Sequence, residues 1–340
     1  MLRHAASGQK FGGLNVKTQH RLVRILSVLA TIGVVGFAAG VPMKAAAEEK
    51  LRVGKADSTD YDFALLQVGI DAGIFKKYGL DLDTVTLPGA QLHQGMTANA
   101  IDLALGSGTD FQFIAKGAPE RGVAAFAGAP INLAILVRAD GGIDKLDDLK
   151  GKIVAVSTNG SLTYWLTTEL SRRLHWTGDD ALKPVATGNL EAQVAALRVK
   201  SVDGVSGNIE TGYRLQSEGL AKILVPFGKY IDPFITHVIY ATNEMIAKKP
   251  DAVRGFLRGW FETIAYMKTH QAETIASTMP ITKLDDATAK KVYAELMPMF
   301  LDNGRFDPAG FAVVKQAMTA SGVTEIPPNS ALYTEEFLPK

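Results

Sequence analysis

The stretch Gln91–Gly117, QLHQGMTANAIDLALGSGTDFQFIAKG, indicates how the chain is folded. Its first ten residues carry apolar side chains four positions apart, the spacing that lines one face of a helix. The run Leu103–Leu105 is apolar at every position, as in a strand buried on both faces of a parallel sheet. The turn Gly106–Thr109 follows, with flexible glycines and hydroxyls that can cap the next helix. Such a unit presents backbone N–H groups at the carboxyl end of a strand, where open α/β sheets bind ligands.

A similar pattern returns 101 residues further along the chain. The segment Asn189–Gly207, NLEAQVAALRVKSVDGVSG, again has helical spacing and places Asp203 in correspondence with Asp102. Upstream, Lys152–Tyr164 corresponds to Leu51–Phe63 at the same offset. Because identical residues are few, chance similarity of two βα units is the alternative explanation. A repeat at one offset in two places predicts two similar α/β lobes with a cleft between them.

Residues 1–47 differ in composition from the rest of the chain. They hold six of the 36 basic residues and none of the 35 acidic ones. The run Ile25–Val41 is uncharged and mostly apolar, and the small residues 45–47 follow it. A basic start, an apolar run and an A-x-A site predict a Sec-type signal peptide that is cleaved after Ala47. An uncleaved membrane anchor is the alternative, although the run is near the short end of spanning length.

Composition excludes several classes of function. Without residues 1–47 the chain has a formal net charge of −5 and no basic run, which argues against nucleic-acid binding. The chain contains no cysteine, so disulfides, thiolate nucleophiles, a lipobox anchor and cysteine-based metal sites are all excluded. We therefore expect an exported protein whose core is large enough to fold without disulfides.

The motifs of common enzymes are also absent from the sequence. There is no G-x-S-x-G elbow and no P-loop, and Gly106-Ser107-Gly108 lacks the third glycine of a dinucleotide fingerprint. The four histidines after residue 47 show no metal-binding spacing and are predicted to be surface or core residues: His93, His175, His237 and His270. The sequence therefore predicts no enzyme activity, no metal site and no cofactor.

Two loops at predicted strand ends have the chemistry of binding sites. The loop Ser157–Ser161 lies between a buried strand and a helix, is uncharged, and is rich in hydroxyls. Helix N-termini of this kind bind anions through unpaired N–H groups and the helix dipole, although an ordinary capped helix is the alternative. The corresponding loop Lys55–Asp60 contains carboxylates. These carboxylates could meet an amine or cap their own helix.

Four segments resemble one family of transport proteins. Gly73–Leu82 (GIFKKYGLDL) resembles the GFFKKEGLDVE signature of nitrate-, sulfonate- and taurine-type solute-binding proteins of ABC importers. Ala98–Asp102 looks like the LASGEID element of this family, and Leu149–Val156 is similar to its DLKGKKVAV segment. Pro250–Ala265 resembles its P-x-x-V-x-x-F helix. Together these segments extend the resemblance over essentially the whole mature chain.

The resemblance implies a type II periplasmic-binding-protein fold. This is an α/β fold of two lobes, each a mixed sheet flanked by helices, joined by a two-stranded hinge. With the turn-rich segment 138–142 as the first crossover, lobe 1 is predicted at 48–138 and 235–340, and lobe 2 at 139–234. The family pattern implies the following ligand-binding residues: Lys55, Asp57, Ser58, Thr59, Tyr61, Gly106, Ser107, Gly108, Thr109, Ser157, Thr158, Asn159, Gly160, Ser161, Asn189, Gly207 and Asn208.

The resemblance also implies a function in import. The mature protein would be the periplasmic substrate-binding component of an ABC transporter and would deliver its solute to the permease and ATPase subunits. An anionic solute such as a sulfonate, nitrate or a carboxylate is expected, held between the lobes by domain closure. Related proteins bind thiamine precursors, riboflavin or aromatic acids, and some are thiamine-pyrimidine synthases with a cysteine-rich motif that this chain lacks. The alternatives are therefore a pyrimidine or aromatic solute, an exported enzyme, or a sensing partner of a membrane receptor.

The A-x-A site generates a testable expectation about processing. The exported protein should begin at Glu48, because signal peptidase cleaves after the small residues that end at Ala47. Intact-mass measurement of the protein recovered from the periplasm checks this. Recovery of the full-length chain from membranes alone would contradict it.

Overall fold

Two five-stranded β-sheets form the centre of the protein in a computed structural model that describes residues 48–340. The predicted signal peptide, residues 1–47, lies outside the described residues. The strands are β1 (Glu49–Lys55), β2 (Leu80–Thr86), β3 (Leu103–Ser107), β4 (Glu120–Ala127), β5 (Leu133–Arg138), β6 (Ile153–Val156), β7 (Lys183–Ala186), β8 (Gly204–Asn208), β9 (Ala221–Pro226) and β10 (His237–Thr242).

Helices connect most of these strands and form the carboxyl-terminal part of the chain. Within residues 48–340 no helix combines the length and the apolar character needed to cross a membrane. The helices are α1 (Tyr61–Asp71), α2 (Ile74–Lys77), α3 (Ala90–Thr97), α4 (Phe111–Ala115), α5 (Leu162–Arg173), α6 (Leu190–Arg198), α7 (Ile209–Ser217), α8 (Asn243–Lys248), α9 (Pro250–Thr269), α10 (Gln271–Thr282), α11 (Asp286–Leu296), α12 (Pro308–Ala320) and α13 (Asn329–Leu332).

The two sheets have the same topology. The first has the order β2-β1-β3-β10-β4 and the second the order β7-β6-β8-β5-β9. In each sheet the first three strands are parallel, and the fourth runs antiparallel to both of its neighbours. The predicted unit within Gln91–Gly117 is confirmed as helix α3, strand β3, a 3₁₀ turn and helix α4, and all five residues of β3 are buried. The prediction of two similar α/β lobes is therefore confirmed.

The correspondence of Asp102 with Asp203 has a structural cause. Each aspartate lies just before a central strand, β3 or β8, and its carboxylate accepts a hydrogen bond from the neighbouring strand. Asp102 Oδ2 accepts from the backbone N of Arg52 at 2.8 Å, and Asp203 Oδ2 accepts from the backbone N of Ile153 at 2.9 Å. Both carboxylates thus join the same two strands of the repeated unit, which explains why an aspartate recurs at this offset.

The chain crosses between the sheets twice, once in residues 128–132 and once in residues 227–236. The sequence analysis placed the first crossover at 138–142, so that Leu133–Arg138 would belong to lobe 1. This strand instead pairs with β8 and β9 of the second sheet. The turn residues at 138–142 only end β5, and an apolar run does not reveal which sheet it joins. We call the first sheet with α1–α4 and α8–α13 the first lobe, and the second sheet with α5–α7 the second lobe.

The carboxyl-terminal helices pack on the first lobe, as the sequence analysis predicted. Helix α9 contacts α1, α2 and β2, and α10 contacts α1. At the centre of this interface Trp260 is fully buried, with its ring centroid 4.9 Å from that of Phe126 on β4. Aromatic pairs of this kind bury large apolar areas and stabilise a core beyond their area alone. The carboxyl-terminal helices therefore extend the core of the first lobe.

Candidate functional site

A cavity of about 120 Å³ lies between the two lobes, and residues of both lobes line it. Asp57 and Ser107 come from the carboxyl ends of β1 and β3 in the first lobe. Ser157 and Asn208 come from the carboxyl ends of β6 and β8 in the second lobe. Because the repeated unit occurs once in each lobe, the cavity is surrounded by four strand ends. This is the edge of an open α/β sheet at which ligands bind.

The structure brings together seven of the residues that the sequence analysis proposed as ligand-binding, and it places ten outside the lining. Seven line the cavity: Asp57, Ser107, Ser157, Ser161, Asn189, Gly207 and Asn208. Ten do not: Lys55, Ser58, Thr59, Tyr61, Gly106, Gly108, Thr109, Thr158, Asn159 and Gly160. The binding role of the seven lining residues remains a prediction, now with a defined cavity that they share.

Four helices begin at the cavity, each with a capping side chain in its lining. Ser161 Oγ accepts a hydrogen bond from the backbone N of Tyr164 at the start of α5. The side chains of Asn189, Asn208 and Asp60 cap α6, α7 and α1 in the same way. The positive ends of four helix dipoles therefore point toward one small space. The hydroxyl of Ser161 is used by its own helix, so a ligand there would meet neighbouring N–H groups.

Several predicted residues have structural roles instead. Tyr61 is 2% exposed, and its ring packs 6.4 Å from that of Phe300 in the core. A side chain on Gly108 would place its Cβ 2.1 Å from the carbonyl oxygen of Ile235, so this glycine allows the second crossover to approach β3. Thr59 donates its backbone N–H and its hydroxyl to Asp57 Oδ1, which orders the loop after β1. Proximity in sequence to a strand end does not distinguish these roles from ligand binding.

Other predicted residues lie where the two lobes touch. Gln112 Nε2 of the first lobe donates to the carbonyl oxygen of Gly160 in the second lobe at 2.8 Å. Gly89 faces Thr158 so closely that a Cβ on this glycine would lie 2.8 Å from the threonine hydroxyl. These two contacts join the loop after β6 to the first lobe. The structure is therefore a closed arrangement of the two lobes.

A buried group of side chains, which we call the acid–imidazole cluster, lies beside the cavity. It consists of Asp60, Asp62, His237 and Asn132, all at most 6% exposed. His237 Nε2 lies 2.9 Å from Asp62 Oδ2, and Asn132 Nδ2 donates to the same oxygen at 2.5 Å. Asp60 and His237 also line the cavity. Buried ionisable groups of this density are expensive to desolvate, and they are more common at functional sites than elsewhere.

Burial and the neighbouring charges together set the protonation of these groups. Burial and the neighbouring charge of Asp62 raise the pKa of Asp60 to about 8. Burial lowers the pKa of His237, but the hydrogen bond that its ring donates to Asp62 and the charges of Asp62 and Asp60 outweigh burial and raise the pKa above its usual value. An imidazolium at His237 therefore offsets part of the negative charge on this side of the cavity.

One carboxylate of the second lobe reaches into the first lobe beside this cluster. Glu210, at the start of α7, accepts a hydrogen bond from the backbone N of Tyr61 at 2.6 Å and is 1% exposed. This contact joins the N-terminus of α1 to α7 across the cleft. Burial raises the pKa of Glu210 well above its usual value, and the charges of Asp60 and Asp62 raise it further. The closed arrangement thus brings a third carboxyl group next to two others.

A second buried ion-pair group lies beside the cavity in the first lobe. His93 Nδ1 is 2.7 Å from Glu120 Oε1, and its Nε2 is 3.2 Å from Asp110 Oδ2. Asp110 lines the cavity and also accepts a hydrogen bond from the backbone N of Ser107 at 2.7 Å. Burial lowers the pKa of His93, but Asp110 and Glu120 outweigh it and raise the pKa to about 10. His93 therefore holds the carboxylate of Asp110 in place at the carboxyl end of β3.

Sequence reasoning missed most of the charged side chains at the site. It treated Asp60 as a helix cap or a partner for an amine, and it assigned His93 and His237 to surface or core. It did not consider Asp110 or Glu210. His237 reaches the cluster because β10 returns antiparallel to β3, which places it opposite Ser107. A pairing over this sequence distance leaves no local signal, so only the fold reveals the cluster.

Two sheets of the same topology, two crossovers that join them and a cavity between the lobes define a periplasmic-binding-protein fold. The chain belongs to the NMT1/THI5-like family, whose model matches residues 60–274. No curated protein shows significant sequence similarity to the chain.

Solved structures with the same fold cover most of the chain. A Candida albicans protein with the generic periplasmic binding protein fold matches with a TM-score of 0.66 and 18% identity, over 83% of this chain and 93% of its own. The alkanesulfonate-binding protein SsuA from Xanthomonas axonopodis pv. citri, bound to MOPS, matches with a TM-score of 0.69 and 19% identity, over 85% of this chain and 99% of its own. A ligand-binding component of an ABC-type import system from Staphylococcus aureus, with zinc bound, matches with a TM-score of 0.70 and 14% identity, over 85% of this chain and 97% of its own.

The protonation of His93 generates a prediction about pH and stability. With a folded pKa of about 10 and an unfolded value near 6.5, the imidazolium stabilises the fold fully below about pH 6.5. This stabilisation should be lost as the pH rises toward 10, by about 1–3 kcal/mol between pH 7 and pH 9.5. Denaturant unfolding at a series of pH values measures the loss. NMR of ¹⁵N-labelled histidine should show both His93 ring nitrogens protonated at pH 8.

Two variants serve as controls for this measurement. His93→Gln assigns the NMR signal and removes the titrating group, while His175→Asn changes an exposed histidine and should leave the pH dependence unchanged. A neutral His93 ring at pH 8 in the folded protein would contradict the account of this ion-pair group.

Proposed function

We propose that this protein is the periplasmic solute-binding component of an ABC importer. It captures a small solute between its lobes and delivers it to a permease and an ATPase. The observation that carries the proposal is the closed cavity surrounded by strand ends and helix N-termini of both lobes. Membership in the NMT1/THI5-like family and the similarity to import-system structures support the proposal.

Capture depends on contacts that only the closed arrangement provides. A single helix dipole contributes about 0.3–1 kcal/mol, whereas micromolar affinity needs about 8 kcal/mol. A single capped helix of one lobe therefore cannot supply the binding free energy that micromolar affinity needs. The bonds from Gln112 to Gly160 and from Tyr61 to Glu210 join the lobes next to residues that line the cavity. We infer that the solute stabilises this arrangement and that closure supplies the remaining contacts.

The ionisable side chains that line the cavity indicate which class of solute it can bind. They are Asp57, Asp60, Asp110 and His237, and no lysine or arginine lines the cavity among the described residues. A sulfonate or nitrate, which the sequence analysis expected, would approach three carboxyl groups with one imidazole as its only cationic neighbour. An uncharged heterocycle with N–H donors, such as an aminopyrimidine, would donate to these carboxylates. It would also accept hydrogen bonds from the polar side chains of the second lobe. For the cavity without a bound cation, we therefore propose a solute that donates hydrogen bonds.

A ligand screen on EDTA-treated protein tests this proposal. Aminopyrimidines and related donor-bearing heterocycles should raise the melting temperature, and sulfonates, nitrate and simple carboxylates should not. At a solute concentration 100 times the Kd, binding adds about 2.7 kcal/mol to the free energy of unfolding, which a thermal-shift measurement detects.

The contact between Gln112 and Gly160 provides a matched control for the screen. Gln112→Ala should weaken solute affinity about three- to tenfold, because it removes a hydrogen bond made only in the closed arrangement. Gln94→Ala changes an exposed glutamine of the same lobe and should bind normally. Strong stabilisation by a sulfonate in EDTA, with no response to heterocycles, would contradict the proposed solute class. Equal affinity of the Gln112→Ala variant and the parent would contradict capture by closure.

A further inference from the structure

The acid–imidazole cluster has the composition of a metal site. Asp60, Asp62 and His237 each offer one ligand atom, and these atoms all lie within 4.8 Å of one another. They come from the cap of α1, its first turn and the start of β10, so three backbone positions hold them. Two carboxylates and an imidazole form a mixed oxygen and nitrogen set that suits divalent first-row metals.

The orientation of His237 matches that of a metal-binding histidine. Its Nδ1 lies 3.3 Å from the carbonyl oxygen of Gly106, which can only accept a hydrogen bond. Nδ1 must therefore carry a proton, and Nε2 is the nitrogen that points toward Asp62. Metal-binding histidines are usually oriented in this way, with the second ring nitrogen donating to a carbonyl or carboxylate.

Unpartnered oxygens around the cluster provide an independent sign of a missing cation. Asp62 Oδ1, Asn132 Oδ1 and Glu210 Oε2 are all buried and have no hydrogen-bond partner. The Asn132 amide adjoins the cluster directly, since its Nδ2 lies 2.5 Å from Asp62 Oδ2 and 3.2 Å from His237 Nε2. The free oxygens of Asp62 and Asn132 therefore carry lone pairs that no donor meets. Buried polar atoms are nearly always satisfied, so unpartnered oxygens in and next to the cluster require an explanation.

A single cation explains these features together. A proton would satisfy one oxygen at a time, whereas a divalent ion can bind several oxygens and the imidazole at once. We propose that Asp60, Asp62 and His237 bind a divalent cation of the Mn²⁺ or Zn²⁺ type. The sequence analysis predicted no metal site, because these ligands have none of the short spacings that mark metal motifs.

The position of the site links the cation to the cavity. Asp60 and His237 line the cavity, so a cation bound to them has a side that faces the solute. The bound ion would neutralise the acidic wall and offer a coordination position to a lone pair of the solute. The metal-loaded protein would then accept anionic groups that the metal-free protein repels. This proposal goes beyond solute binding, because the ion is held by residues of the protein alone.

Titration with manganese in the absence of solute tests the proposal. The chain beginning at Glu48 is treated with EDTA, exchanged into metal-free buffer and titrated with MnCl₂, and electron paramagnetic resonance measures free Mn²⁺. One equivalent should bind, ZnCl₂ should displace it, and the melting temperature should rise. Asp62→Asn and His237→Gln should each weaken Mn²⁺ binding at least tenfold. Asp81→Asn, which changes an exposed aspartate on β2, should bind like the parent.

Either of two results would overturn the proposal. One is the absence of stoichiometric Mn²⁺ binding by the parent protein, and the other is unchanged Mn²⁺ binding in both cluster variants. Circular dichroism in EDTA checks that the variants fold. If Asp62→Asn or His237→Gln does not fold, Asp60→Asn replaces it, because Asp60 lies at the cavity surface. Weakened Mn²⁺ binding by Asp60→Asn would then support the proposal, and unchanged binding would contradict it. Because the titration contains no solute, its failure leaves the ligand screen in EDTA unaffected, and failure of that screen leaves this titration unaffected.

Discussion

The burial of three carboxyl groups at the junction of the two lobes is the constraint on which the site depends. Asp60 and Asp62 belong to the first lobe, and Glu210 reaches them from the second lobe through its hydrogen bond to the backbone of Tyr61. Like charges brought together in a dry environment raise one another's pKa and favour any positive partner. His237 supplies one such partner, and a bound cation or a hydrogen-bond-donating solute would supply another. Closure of the lobes and occupation of the site are therefore coupled, because closure increases the need for positive charge.

The repeat also explains how one chain makes a two-sided site. Each lobe places two strand ends and capped helices at the cleft, and together they surround a cavity of about 120 Å³. The lobes differ in chemistry although they share a topology. The first contributes carboxylates such as Asp57 and Asp110, and the second contributes uncharged polar groups such as Ser161 and Asn208. A small solute held between them would have an acidic side and a neutral polar side.

Local patterns in the sequence predicted the repeated architecture because each repeated element has a local cause. The helix spacing, the apolar strand and the aspartates at 102 and 203 all arise from contacts within one unit. The crossover before β5 and the cluster around His237 could not be predicted in the same way. Both depend on antiparallel strands that join sheets from far along the chain, β5 to the second and β10 to the first. Loop residues such as Ser157 and Asn208 were found because they follow strands directly, whereas Glu210 was missed because its partner is 149 residues away.

We infer that a solute holds the two lobes in the closed arrangement. Distance measurement between spin labels tests this inference, because the chain has no cysteine and two can be introduced at chosen positions. Gln91→Cys on α3 and Glu191→Cys on α6 place exposed labels on opposite lobes, each two residues after a cavity-lining residue. Pulsed electron paramagnetic resonance should show a broader or longer distance distribution without solute and a single shorter distance at saturation. An identical distribution in both states, with solute binding verified by calorimetry, would contradict capture by closure.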